Sequence, residues 1–201
     1  MQWTAIVPIK PLPERKSRLS GCLPAEQRQH LSERMFRHVV GTLLSSPDIS
    51  SVVVLSKCRP SILGVRWLAD GGNGLNPELT RATGLLQRPS EQGLDEFGQI
   101  VVHADLPGLT TRDIRTVLET ARRNGVAIAP DRAGTGTNAI AYKGGRPLQF
   151  AFGEDSCAAH LAQVPVAGMV TRRVGLEVDV DRPADLDLAV RLHLLPDRPP
   201  G

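Results

Sequence analysis

Four times along this chain a short apolar run breaks off into a compact polar motif. Thr4–Ile9 leads into KPLPERKSRL, Gln99–His103 into ADLP, Val126–Ala129 into PDRAGTGTN, and Leu176–Val180 into DRPADL. Segments with helical periodicity lie between these runs: Pro24–Leu44 (Leu31, Met35, Val39 and Leu43 in phase), Pro77–Gln87, Thr111–Asn124, a short stretch from Ser156 to about Ala162, and Pro183–Leu194. Ser51–Leu55, Leu63–Ala69, Ala139–Tyr142 and Val164–Thr171 read as further strands. Pro11 and Pro13 deny Pro11–Leu23 a regular ladder, so that stretch is expected to be a loop. Asp70–Gly74 and Arg88–Phe97 are breaks, and Gly125 closes the helix before it from the C′ position. Strands alternating with helices imply an α/β fold, a mostly parallel sheet with helices on both faces.

The bulk numbers narrow the partners. At 201 residues the chain suits one domain, spanning 1–195, with 196–201 expected as a disordered tail. Aromatic residues make up only 3%, too few for a stacking platform, and the net charge of +3 is spread without a polybasic block. Nucleic acid is therefore not expected as a partner. No apolar run is long enough to span a bilayer, and the N-terminus enters a strand without a leader pattern, so a cytoplasmic location is expected. Cys22, Cys58 and Cys157 are widely spaced and suggest neither a disulfide framework nor a zinc site.

The polar motifs admit both chemical and bland readings. Open α/β sheets bind phosphorylated ligands at the carboxyl ends of their strands. Asp105 is placed there, as are Asp179 and Asp181, which share one face of a strand-like segment. Carboxylates from separate strand ends can hold a hard cation such as Mg²⁺ against phosphate oxygens. Equally, Asp105 can close a turn, Asp181 can be the N-cap of the last helix, and Asp185 can cap it or face solvent. Lys10, Arg15, Lys16 and Arg18 can neutralise phosphates, or simply coat a solvated loop. The Gly134–Thr137 turn can cradle an anion with N–H groups and hydroxyls, or be only a turn. The segment Gly153–Ser156 offers a helix start to an anion, or merely an N-cap. A lone His160 is more often structural.

Taken together, VPIKPLPERKSRL, LPAEQRQHL, HADLP, APDRAGTGTNAI, FGEDSCAAH and DVDRPADL resemble the guanylyltransferase family of coenzyme F420 biosynthesis, called CofC in archaea and FbiD in actinobacteria. The resemblance runs from about Trp3 to Leu194. It implies a Rossmann-like, GT-A-like nucleotidyltransferase fold, a three-layer sandwich around a mixed, mostly parallel sheet. It also implies transfer of GMP from GTP to a small phosphorylated carboxylic acid: phosphoenolpyruvate, 3-phospho-D-glycerate or 2-phospho-L-lactate. By that likeness Asp105 and Asp179 hold Mg²⁺, and Thr137, Gly153 and Ser156 contact the acid. Lys10, Lys16 and Asn76 meet the nucleotide, and Lys16, Arg18 and Asp105 form the catalytic group. A homodimer is implied by the resemblance alone. Only four of the basic residues are lysines (Lys10, Lys16, Lys57 and Lys143), a bias expected of GC-rich bacterial coding. That favours the first two acids.

Two other classes compete. A non-catalytic GTP-binding module has no need of two metal carboxylates. Nucleotidyltransferases acting on molybdopterin or sugar phosphates carry a glycine-rich first loop, where this chain has prolines and cations. Glu154 adds negative charge beside the expected anion pocket.

Overall fold

In a computed structural model of the chain, residues 1–11, 16–86, 97–144, 148–164 and 172–196 are described. Six strands, β1 (Gln2–Pro8), β2 (Ile49–Ser56), β3 (Val65–Ala69), β4 (Phe97–Val102), β5 (Val126–Pro130) and β6 (Thr137–Lys143), form one sheet in the order β3-β2-β1-β4-β6-β5. The pairs β1–β2, β1–β4 and β2–β3 are parallel, and β6 alone runs against its neighbours β4 and β5. The helices are α1 (Ala25–Leu44), α2 (Leu75–Leu86), α3 (Thr111–Asn124), α4 (Ser156–Leu161), α5 (Val174–Glu177) and α6 (Pro183–Arg191), with a 3₁₀ turn at Ser17–Leu19. The sheet is thus mixed and mostly parallel, as expected.

Side chains alternate across each strand, and each face acquires its own core. Ala5, Val7, Val52 and Val54 pack on one face against Phe36, Val39, Val40 and Leu43 of α1 and Ile114, Val117 and Leu118 of α3. Ile6, Val53 and Leu55 pack on the other against Leu79 and Ala82 of α2, with Phe150, Phe152 and Cys157. Trp3 stands opposite Gly98 in the β1–β4 register. A Cβ at Gly98 would run into the Trp3 ring, so that glycine admits the indole and helps fix the register that sets the end of β4. Gly125 has φ 81° and its N–H bonds to the Ala121 carbonyl, a left-handed helix end that an L side chain resists.

A third, smaller core positions the site. Leu19 from the 3₁₀ turn, Met35 from α1, and Val180, Leu186 and Ala189 from the C-terminal segment bury one another. Leu19 and Val180 are fully buried, so the first loop and the last polar motif are brought side by side by apolar contact.

Leu176–Val180 is not a strand. Val174–Glu177 is one helical turn, and the chain beyond it is irregular. The alternation is nonetheless real: Leu176, Val178 and Val180 are buried in turn. They are held by isolated bonds across strand ends, Arg132 N–H to the Glu177 carbonyl at 3.1 Å and Val180 N–H to the Asp105 carbonyl at 3.1 Å, rather than by a ladder. The expected strand at Val164–Thr171 falls largely on residues 165–171, outside the described residues. The same holds for the linker over 88–96 and the tail over 197–201.

Candidate active site

The carboxyl ends of the parallel strands gather the polar motifs on one edge. Lys10 follows β1, His103 and Asp105 follow β4, and the antiparallel β6 starts there with Thr137 and Asn138. The C-terminal segment is then tied across this edge. Asn138 donates from Nδ2 to the Leu176 carbonyl at 2.9 Å and to Asp179 Oδ1 at 3.3 Å. Arg173 pairs with buried Asp113, which also closes the α3 capping box with Thr110. A Cβ on Gly175 would collide with that Asp113 carboxylate, so the segment must be glycine there to pass so close. These ties bring Asp179 next to Asp105 from 74 residues away, near enough that the charge of Asp105 raises the cost of ionising Asp179.

Lys16 sits at the centre of the charges. Its ammonium donates to Asp105 Oδ2 at 2.6 Å and lies 3.9 Å from Asp181 Oδ1, with only 8% of its side chain exposed. Its backbone is left-handed, φ 56°, which is uncommon for a residue with a Cβ. Arg18, more exposed, pairs with Asp181. Burial works to raise the Asp105 carboxyl, but Lys16 and His103 outweigh it and hold it below the usual carboxylate range. Among the described residues no such cation is in contact with Asp179. Burial, and then the charge of Asp105, push its carboxyl up to about 6.

Two carboxylates at a strand edge, one stabilised and one frustrated, suit a hard cation. Asp105 Oδ1 is buried and has no hydrogen-bond partner among the described residues, an expensive position for a lone anionic oxygen. Among the described residues no group of three His, Cys, Asp or Glu side chains is arranged to hold a metal. Mg²⁺ is commonly held by one or two carboxylates with substrate phosphates and water. Asp105 and Asp179 are the residues that could hold it.

The opposite wall is neutral. Thr137 is buried at the start of β6, its Oγ1 3.0 Å from His160 Nδ1. Ala151 N–H donates to His160 Nε2 at 3.0 Å. The Phe152 ring lies between His103 and His160, with ring centroids 4.9 Å from each. Asn76 clasps the Phe152 backbone in both directions, accepting from its N–H at 2.8 Å and donating to its carbonyl at 3.0 Å. Beyond Phe152 the chain turns through Gly153, whose φ of 138° only glycine adopts readily, into an exposed Glu154 and a left-handed Asp155. Ser156 then opens α4, 2% exposed, with no partner for its hydroxyl among the described residues.

Most of the expected site residues therefore meet on one edge, including Lys10, Lys16, Arg18, Asp105, Asp179, Thr137, Gly153 and Ser156. Arg15 lies outside the described residues. The Gly134–Thr137 turn is less available as an anion cradle than its composition suggests. Gly134 N–H bonds to the Asp131 carbonyl, and Thr135 N–H bonds to the Asp131 carboxylate at 2.9 Å. A Cβ on Gly136 would meet that same carboxylate at 2.7 Å, so the glycine serves the turn's closure. Asp181 is not an N-cap: Arg182 occupies that position, and Asp185 accepts from its N–H at 2.8 Å.

The pattern reading passed over His103 and Asn138. Burial lowers the pKa of His103, against the pull of Asp105, and its Nε2 is buried without a partner. Both flank motifs singled out for other residues, and nothing in a lone sequence signals that Asn138 reaches a carboxylate 41 positions away.

Comparison with known proteins agrees with this architecture. The family model described as "Guanylyl transferase CofC like" matches residues 3–193. A phosphoenolpyruvate guanylyltransferase of Sphaerobacter thermophilus is 33% identical over 196 residues, covering 93% of this chain and 92% of the relative. One from Nocardia farcinica is 35% identical over 197 residues, covering 94% and 85%. Among solved structures, a 4-diphosphocytidyl-2C-methyl-D-erythritol synthase superposes with a TM-score of 0.65 at 14% identity, over 96% of this chain and 98% of that one. At that identity the likeness shows the fold alone.

Proposed function

The chain belongs to the CofC-like guanylyl transferase family, and from that premise we propose that it moves GMP from GTP onto the phosphate of a three-carbon phosphorylated carboxylic acid, releasing pyrophosphate, as a step in making coenzyme F420 or a derivative. Phosphoenolpyruvate is the first candidate acceptor. It is the acid in the names of the similar curated proteins, at 33% and 35% identity. The observation that carries the reading is the convergence of Lys16, Asp105 and Asp179 at the carboxyl edge, facing a neutral wall that ends in Thr137 and Ser156.

The acceptor's phosphate oxygen attacks the α-phosphorus of GTP. The new P–O bond forms as the bond from the α-phosphorus to the bridging β-oxygen breaks, and pyrophosphate leaves with that electron pair. A phosphate monoester has its second pKa at about 6, so the nucleophile is already mostly ionised at neutral pH and needs no general base. Burial lowers the pKa of His160 and His103, which leaves both rings weak bases, in accord with that. The protein's task is to hold two polyanions together in line. Lys16 keeps Asp105 ionised, and Lys16 and Arg18 are the cations that neutralise charge on the leaving group in this reading. Mg²⁺ held by Asp105 and Asp179 would supply Lewis-acid screening of the phosphate oxygens. The acid's carboxylate is received at Gly153–Ser156 and by the Thr137 hydroxyl.

The test offers the purified protein GTP, Mg²⁺ and each of phosphoenolpyruvate, 3-phospho-D-glycerate and 2-phospho-L-lactate in competition. Pyrophosphate release that depends on an acid, with phosphoenolpyruvate preferred, is the expected result. Release with none of the three overturns the proposal. The carboxylate methyl ester should be a poor substrate, and equal turnover of ester and acid would remove the anion pocket from the account.

A further inference from the structure

The buried His160 has a role that follows from which nitrogen carries its proton. Ala151 N–H points at Nε2 at 3.0 Å, so Nε2 is an acceptor and cannot itself be protonated. In the neutral ring the proton is then on Nδ1, which faces Thr137 Oγ1 at 3.0 Å and donates to it. His160 is completely buried, and burial pushes its pKa down to about 4, so the neutral ring is the form present at neutral pH. With one lone pair of Oγ1 taken by Nδ1–H, the hydroxyl hydrogen of Thr137 has no acceptor among the described residues. Thr137 is 2% exposed, so that hydrogen stays unmet unless an acceptor is brought into the site beside it.

We propose that His160 is a positioning residue that fixes the Thr137 hydroxyl as a one-way donor, aimed at the carboxylate of the acceptor acid. The inference rests on the acceptor reading given under Proposed function and names how that pocket is set. The same imidazole holds the facing wall. Its Nε2 anchors Ala151 while Asn76 anchors Phe152, so Gly153 leaves from a backbone pinned at two consecutive residues. One ring thereby sets the distance between the hydroxyl at the start of β6 and the N–H groups that follow Gly153. In the other tautomer or the protonated ring, Nε2–H would face Ala151 N–H, and the wall and the hydroxyl would lose their common reference.

The experiment is a double-mutant cycle read as acceptor KM against GTP KM. Thr137→Val should raise the KM for phosphoenolpyruvate on the order of 10-fold, as for loss of one hydrogen bond to an ion, and leave the GTP KM within about 2-fold. His160→Leu should do the same, and the double variant should be no worse than Thr137→Val alone. His160→Asn, which keeps an N–H donor at the δ position, should recover most of the loss. Additive effects, or an equal rise in both KM values, would overturn the inference. If His160→Leu does not fold, Thr137→Val and His160→Asn still decide, because an unchanged acceptor KM in Thr137→Val defeats it. Wild-type protein inert toward GTP with every acid would bring down the guanylyltransferase reading itself, and the inference with it; an active wild type without coupling defeats the inference alone.

Discussion

The two sides of the strand edge are built on opposite principles. Around Lys16, charge is dense and incompletely resolved: Asp105 Oδ1 has no hydrogen-bond partner among the described residues, the Asp179 carboxyl is pushed up to about 6, and Lys16 is in a left-handed backbone. Around Thr137, every step is a neutral hydrogen bond or a ring contact, from Asn76 through Phe152 and His160. The comparison teaches where ligand binding must do work. The charged side carries repulsion that a cation and phosphates would relieve, whereas the neutral side is fixed by protein contacts and leaves only hydroxyl hydrogens such as that of Thr137 for a ligand to take. Preorganised donors lose little on binding, and frustrated carboxylates gain most from it.

The largest effect is expected where the charge is least compensated. Asp105→Asn should lower turnover on the order of 10²-fold or more at saturating Mg²⁺, in line with removal of one electrostatic stabiliser. Turnover near wild type would take Asp105 out of the mechanism and erase the contrast between the two sides.

Asp179→Asn sharpens the comparison, since it should remove activity while making the metal-free protein more stable. A carboxyl whose pKa is raised from 3.8 to about 6 on folding favours its protonated form in the folded state. Its stabilising share is therefore present below pH 3.8 and withdrawn as pH rises to about 6. At pH 7.5 the variant should gain up to about 3 kcal/mol in chemical denaturation, from a shift of roughly two pKa units. A destabilised variant would mean that Asp179 is well accommodated without a cation.

The neutral side should respond to pH with the opposite sign. His160 is lowered from 6.5 to about 4 by burial first and then by His103, so the unfolded chain binds the extra proton in that window. Stability from this ring is complete above pH 6.5 and falls as the solution is acidified toward pH 4. In wild-type protein this slope is masked by that of Asp179. Denaturation midpoints of Asp179→Asn should rise steadily from pH 4 to 6.5, and adding His160→Asn should reduce that slope, leaving the share of His103, whose pKa burial also lowers. A curve that keeps its slope in the double variant would assign the proton elsewhere.

The smallest effect belongs to the rim. The Arg18–Asp181 pair has side chains 63% and 36% exposed, and Arg18→Ala should change stability by less than about 1 kcal/mol. Its effect should appear in the rate of pyrophosphate release and weaken with salt. A salt-independent loss would argue that the guanidinium works in a desolvated position instead.

Much of this molecule was legible as pattern. Apolar runs such as Gln99–His103 and Val126–Ala129 are buried strands because only a sheet covered on both faces can use them, and Thr111–Asn124 is a helix with the boundaries its periodicity and Gly125 imply. The failures are local and have causes. Leu176–Val180 alternates as a strand does, yet α5 and cross-segment bonds hold it, because alternation reports which side chains are buried and not which neighbour supplies the ladder. The Gly134–Thr137 turn has the composition of an anion cradle, but Asp131 takes up the Thr135 N–H from within the turn.

What the sequence alone determined is local: where chain segments are apolar on one face, where they must turn, and which residue types stand at strand ends. Those depend on neighbours within a few positions, so a single chain displays them. The tertiary structure alone decided that Lys16, Asp105 and Asp179 share one small volume, that Asn138 and Asn76 serve as clasps, and that His160 faces Thr137 through Nδ1. Such pairings join residues many positions apart, and they are set by how two cores pack on a sheet. The physics of folding fixes them, but no run of adjacent letters spells them out.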